Sequence, residues 1–171
     1  VDLDHNFPEE LLVGMNLKNP QVFDVYHVNL KTGAVEFHTE NPGNIVGWTA
    51  DSQFQIRAAS ATTPDGGYDL LYRETPEKDW ETLRHWGPDE EGGAVFFSND
   101  GKTLYIVGNH DANAARLIAF DLATRSETVI AEDPQYDVGG VLAHPTTRNI
   151  EAVSFYKDKE EWIFLDSEIE A

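Results

Sequence analysis

Short runs rich in Val, Ile, Leu, Phe and Tyr alternate along the chain with clusters of Asp, Asn, Gly, Ser and Pro. Apolar positions at helical spacing are nearly absent, so the pattern predicts many short β-strands and an all-β fold. In chain order the expected strands cover residues 10–16, 22–30, 34–39, 44–50, 54–60, 68–75, 80–86, 93–98, 103–110, 116–122, 127–132, 138–144, 150–156 and 161–167.

The strands also repeat. NLKTGAVEF at 29–37 aligns with DLATRSETV at 121–129, a shift of 92 residues, or two periods of 46. TADSQFQI at 49–56 matches SNDGKTLYI at 98–106, and HPTTRNIEAV at 144–153 fills the same place one period later. A period of ~40–50 residues with four strands each is the mark of a β-propeller blade, whose strands run outward from a central channel. The innermost strands of successive blades are then 44–50, 93–98 and 138–144, expected to be the most apolar, with glycines where blades crowd the axis. Blades of approximately 10–39, 44–86, 93–132 and 138–167 make 1–171 a single partial β-propeller of about three and a half four-stranded antiparallel blades. The first would lack its innermost strand and the last its outermost. A β-sandwich ligand binder would not carry a 46-residue register, and the 92-residue repeat counts against it.

Charge narrows the partners. The 31 acidic and 12 basic residues give a formal charge of −19, which repels a phosphate backbone and an anionic membrane surface; neither nucleic acid nor membrane is expected as a partner. With no cysteine, disulfides, thiolate metal sites and cysteine nucleophiles are excluded. No apolar run reaches the ~18 residues of a membrane-spanning helix, and VDLDHNFPEE lacks the regions of a signal peptide. A cytoplasmic location is expected. The start without Met, running quickly into strand-like 11–15, is what an excised fragment of a longer chain or a processed product would show.

The blade pattern carries a family resemblance. An S-x-D-G-K turn (Ser98, Asp100, Gly101, Lys102), a following strand TLYIVGN, and a later strand ending in D-L-x-T (Asp121, Leu122, Thr124) together resemble the propeller domain of prolyl oligopeptidase family serine peptidases. Acylaminoacyl peptidases and dipeptidyl peptidases look closest within it, and TolB-type propellers share the blade signature. The resemblance runs from about Leu11 onward. It implies a C-terminal α/β-hydrolase domain in the parent chain, with a Ser-Asp-His triad, for which the propeller acts as scaffold and filter for peptide substrates. No G-x-S-x-G nucleophile elbow and no strand–helix alternation occurs in the sequence, so the segment is expected to be non-catalytic.

Several residue groups contain chemistry in principle. Ser98, Asp100 and His110 have the types of a triad, but nothing supplies an elbow or an oxyanion hole, and turn chemistry accounts for the first two. The six histidines are separated by 11 residues or more and form no metal-ligand pair. Neither PDEEGG nor SNDGKT has calcium-loop spacing. No metal and no cofactor is expected. The tryptophans Trp48, Trp80, Trp86 and Trp162 are dispersed among strands and are read as packing residues.

One constellation is retained. The loop GPDEEGG connects an outermost strand to the next innermost one, and such loops share a face with the loop at 109–113. Asp89, Glu90, Glu91, Asn109, His110 and Asp111, with Asn113 nearby, are therefore the candidate rim residues for binding a peptide amino terminus or a basic side chain. Closure of the arc by a second copy is also expected, since terminal blades leave apolar faces uncovered. The rival reading is a free-standing TolB or WD-type module that binds a protein or peptide on one rim.

Overall fold

The computed structural model describes residues 4–166. Among them are fourteen strands and no helix: β1 (Glu10–Met15), β2 (Asp24–Asn29), β3 (Val35–Thr39), β4 (Ile45–Ala50), β5 (Ile56–Thr62), β6 (Tyr68–Tyr72) and β7 (Glu81–Trp86), then β8 (Gly92–Phe97), β9 (Thr103–Gly108), β10 (Arg116–Asp121), β11 (Glu127–Ala131), β12 (Val138–Ala143), β13 (Ile150–Tyr156) and β14 (Glu160–Phe164). They form four antiparallel sheets in simple meander order, β1-β2-β3, β4-β5-β6-β7, β8-β9-β10-β11 and β12-β13-β14. These are the blades of a partial β-propeller: two complete, the first without its innermost strand and the last without its outermost among the described residues. Ser167, the end of the last expected strand, lies outside the described residues.

The chain divides into two compact units, residues 1–85 and 86–171. In the first, Leu12 and Val25 of one sheet pack against Ala50 and the residues Phe54 and Ile56 of the next, with Phe7, Trp48 and Trp80 around them. In the second, Leu117 packs with Val138, Val153 and Phe155 across two sheets. The same blade-on-blade contact therefore recurs in each unit, and it removes from water the apolar face that a lone sheet would expose.

Burial departs from expectation in one respect. The innermost strands are not the most apolar part of the core; β4, β8 and β12 are mostly half-buried. The middle strands hold the core, with Ile56, Ala58, Ala59 and Ala61 in β5, Leu104 and Ile106 in β9, and Ala152, Val153, Phe155 in β13. An innermost strand has a sheet neighbour on one edge only, whereas a middle strand is flanked on both edges and covered on its faces.

The repeat is built from turns that solve one problem with different residues. In the turn from first to second strand, Ser98 Oγ donates to Asp100 Oδ1 (2.7 Å) and accepts from the Thr103 amide (3.0 Å), while Gly101 takes φ 67°. One blade earlier Asp51 Oδ1 accepts the amides of Gln53 and Gln55, and Phe54 takes φ 62°. In the last blade His144 Nδ1 accepts from Thr146 and Thr147, and Arg148 takes φ 56°. A side-chain acceptor at the turn's start satisfies amides that the ladder leaves open. The third-to-fourth strand turn repeats at the 92-residue spacing: Asn29 Oδ1 caps Lys31 and Thr32 with Gly33 at φ 74°, and Asp121 Oδ1 caps Ala123 and Thr124 with Arg125 at φ 60°.

Candidate functional site

In the second unit the loops at 87–91 and 109–113 meet. Asn109 joins them twice: its Oδ1 accepts the Glu91 amide at 2.9 Å, and its own amide donates to the Glu91 carbonyl at 3.0 Å. Glu90 turns back on its loop, Oε2 accepting the Gly87 amide at 2.8 Å. Its other oxygen stands 3.5 Å from His110 Nδ1, and His110 Nε2 lies 3.2 Å from Asp111 Oδ2. Asp111 reaches this position through a left-handed backbone, φ 54°, which Asp tolerates better than most residues. Beneath them Arg116 donates from Nη2 to the His110 carbonyl (2.9 Å) and pairs through Nη1 with Glu132 (3.7 Å).

Of the six candidate residues, Glu90, Glu91, Asn109, His110 and Asp111 thus belong to one contact network. Asp89 is exposed beside it. Asn113 instead donates to the Pro134 carbonyl at 3.2 Å, tying this loop to the entry of the last blade. The network is a half-exposed rim in which one imidazole lies between carboxylates from two loops, a concentration of negative charge that favours a cation or an amine.

The structure separates the triad-like types. Ser98 and His110 flank opposite ends of β9, whose length puts them on the order of 20 Å apart. The Ser98 hydroxyl and the Lys102 amide hold the Asp100 carboxyl below its ordinary range, as a turn anion and not as a base. Other histidines have partners of their own: His27 Nε2 lies 2.9 Å from Glu10 Oε2, and His85 is clamped between Asp69 (2.8 Å) and Asp65 (3.1 Å). Among the described residues no group of three or more His, Asp or Glu could hold a metal ion.

Two features escaped sequence reading. Trp48 and Trp80 lie 32 residues apart in the sequence, yet their rings are 6.1 Å apart, and the Arg73 guanidinium sits 4.4 Å from the Trp80 ring. Arg73 is buried and donates to the carbonyls of Ile56 and Pro76 and to Thr39 Oγ1, each at 2.9 Å. The second is a cleft of about 540 Å³ between the two sheets of the second unit, lined by β8 at Gly92–Val95, by Val107 and Gly108, and by Asp137, Val138 and Tyr156, with Glu91 at its edge. Asp137 arrives from a connection whose local composition marks no site, and only blade packing brings it to the cleft that Glu91 also lines.

No protein-family model matches the chain. Among curated proteins it is 36% identical over 170 residues to dipeptidyl aminopeptidase BIII of Pseudoxanthomonas mexicana, covering 96% of this chain and 24% of that one. It is 26% identical over 172 residues to dipeptidyl peptidase family member 6 of Caenorhabditis elegans, covering 94% of this chain and 23% of the relative. The chain therefore spans about a quarter of the length of these relatives. Among solved structures, TolB from Acinetobacter baumannii superposes with a TM-score of 0.59 at 10% identity over 86% of this chain and 35% of TolB. An oligogalacturonate lyase from Vibrio parahaemolyticus gives 0.51 at 18% identity, over 86% and 42%. At those identities the structural likeness shows the fold alone. The two kinds of similarity agree with the resemblance read from the turns: a propeller segment, with TolB-like blades, similar to part of the dipeptidyl peptidases.

Proposed function

We propose that this chain is the non-catalytic propeller portion of a dipeptidyl-peptidase-type serine peptidase, serving as scaffold and substrate-access filter for a C-terminal α/β-hydrolase domain carried elsewhere in the parent chain. The observation that carries this is the 36% identity spread over 96% of the chain, yet over only 24% of a dipeptidyl aminopeptidase. A segment that small, built of blades and lacking a nucleophile elbow, contributes shape and charge to the parent enzyme. The reacting serine is supplied by the rest of the chain.

In this reading the rim of Asp89, Glu90, Glu91, Asn109, His110 and Asp111 faces incoming peptide and favours its positively charged amino terminus. Filtering by a propeller works through size and surface charge and needs no reactive side chain. The exposed apolar residues Trp162, Ile163, Phe164 and Leu165 are covered by further blades of the parent or, in a second version of the same idea, by a second copy of the protein.

The test uses the intact protein and a series of peptides from two to about thirty residues. A filter gives a steep fall in kcat/KM with length, and Glu90→Gln with Asp111→Asn raises KM for free-amine peptides while leaving hydrolysis of an amine-blocked ester unchanged. Hydrolysis indifferent to length and to both substitutions overturns the proposal. Light scattering decides between further blades and a second copy: a monomer at micromolar concentration removes the dimer.

A further inference from the structure

Each unit has a cleft at the same place in the repeat, and comparing the two isolates what is particular to one of them. In the first unit a cleft of about 500 Å³ is lined by Gly14, Phe23, Asn41, Ile45, Val46 and Trp48 among others, with no charged side chain. Phe23 and Ala115 stand at equivalent positions, 92 residues apart. The large ring of Phe23 borders the first cleft, and the small Ala115 leaves the second open. Asn41 is consumed internally: its Nδ2 donates to the carbonyls of Ile45 and Phe23, and its Oδ1 accepts the amides of Gly43 and Ile45. The first cleft therefore has no charged group, and its Asn41 amide is already spent.

The cleft of the second unit differs in each of these respects. Its walls are small or apolar, Gly92, Gly93, Ala94, Val95, Val107 and Val138, with the Tyr156 ring along one side. Two carboxylates, Glu91 and Asp137, line it, and no lysine or arginine does. Asp137 spends one oxygen on the Ala115 amide (2.7 Å), which fixes the side chain and leaves its second oxygen unused by that bond. Glu91, at the edge of the cleft, is anchored by Asn109 through its backbone amide and carbonyl, bonds that leave its carboxylate out. The cations that adjoin lining residues in sequence have partners elsewhere: Arg116, next to Ala115, donates to the His110 carbonyl (2.9 Å) and pairs with Glu132 (3.7 Å), and Lys157, next to Tyr156, is engaged with Glu161 (2.9 Å) and Asp133 (3.6 Å). At about 540 Å³ the cleft is within the ~300–1,000 Å³ range of ligand sites.

A pocket with an apolar, partly aromatic wall and two carboxylates but no cation matches a long side chain that is apolar along its stem and cationic at its tip. We infer that this interblade cleft binds the side chain of an arginine or lysine presented by a peptide, with the stem against Val95, Val138 and Tyr156 and the cation at Glu91 and Asp137. This site adjoins the rim network around His110 and shares Glu91 with it, but it reaches Asp137 between the sheets and recognises a side chain whatever the state of the peptide's amino terminus. It goes beyond the filter reading and stands if that reading fails.

The experiment is calorimetric titration of the intact protein with acetyl-Gly-Arg-Gly-amide, whose two blocked ends remove amino-terminal and carboxylate recognition. The same peptide with citrulline or norleucine in place of arginine provides the comparison. The arginine and lysine peptides are expected to bind about five- to tenfold more tightly than either neutral one, with an affinity that falls as salt is raised. Glu91→Gln and Asp137→Asn together should abolish that preference, and Asp137→Asn keeps an acceptor for the Ala115 amide, so the local turn survives. Equal binding of the citrulline peptide, binding unchanged in the double variant, or no binding at millimolar peptide would each overturn the proposal. Glu90→Gln with Asp111→Asn, which acts on the rim, should leave this binding unchanged; a loss of binding there would likewise overturn it.

Discussion

The indole of Trp86 lies so close over Gly92 that a β-carbon built on the glycine would stand 2.2 Å from Trp86 Cε2. Gly108, paired with Gly92 across β8 and β9, completes the floor, its own β-carbon position 3.2 Å from the indole nitrogen. Trp86 is fully buried there. Two glycines facing each other across a ladder thus make a slot for one large ring, where sequence reading expected glycines to relieve crowding near the axis.

Gly92→Ala should therefore destabilise the protein by about 1–3 kcal/mol through overpacking. Gly47→Ala, whose β-carbon would meet Ser60 at an ordinary 3.5 Å, is the control. Denaturant unfolding of both variants, and of Gly92→Ala combined with Trp86→Leu, checks this. The smaller ring-free side chain should recover part of the loss, and a strictly additive double variant would show that the contact is not the cause.

Arg73→Lys is expected to cost about 1–3 kcal/mol although it preserves the charge. A lysine cannot reach the Ile56 and Pro76 carbonyls and Thr39 Oγ1 at once while keeping a planar cation 4.4 Å from the Trp80 ring centre. Burial also pulls the Arg73 pKa down, with Glu77 opposing it. Equal midpoints of chemical unfolding for the two proteins would refute the clamp.

The two equivalent turns make opposite predictions at their left-handed positions. Arg125→Gly should be neutral or stabilising by up to about 1 kcal/mol, because φ 60° strains a side-chain-bearing residue. Gly33→Ala at φ 74° should cost about 1 kcal/mol even though nothing lies within 4 Å of the added β-carbon. Thermal melts of both variants measure the pair, and like-signed shifts would contradict it.

His85 should titrate above the ordinary histidine range. The hydrogen bond to the Asp69 carboxylate raises its pKa most; burial opposes this, and the charges of Asp65 and Asp69 add to the rise. Since the folded pKa is the higher one, the stabilisation is fully present below the unfolded value of about 6.5 and is lost as pH rises through the folded value. Asp69→Asn should bring the titration of the His85 Cε1 proton, followed by NMR, back toward the ordinary range. An unmoved curve would deny the pairing.

All fourteen strands were legible in the sequence, because period-two alternation between turn signals is a local property. So was the register, since Asn29 and Asp121 cap equivalent turns through chemistry that acts within three residues. The middle strands' hold on the core was not legible: β9 and β12 look equally apolar as text, and only the number of neighbours each has in the sheets separates them.

The approach of Glu90 to His110 followed from blade geometry, because both loops leave one end of the same sheet. The cleft did not, nor did the Trp48–Trp80–Arg73 stack. Glu91 and Asp137 come from connections into successive blades, and no sequence pattern specifies how far apart two packed sheets hold such residues. By itself the sequence determined the strands, their turns, the repeat and the resemblance to peptidase propellers, all of which rest on near-neighbour chemistry. Only the tertiary structure decided which residues share a pocket, because pocket walls are set by the packing of one blade face on another and by where bulky and small side chains fall across that contact.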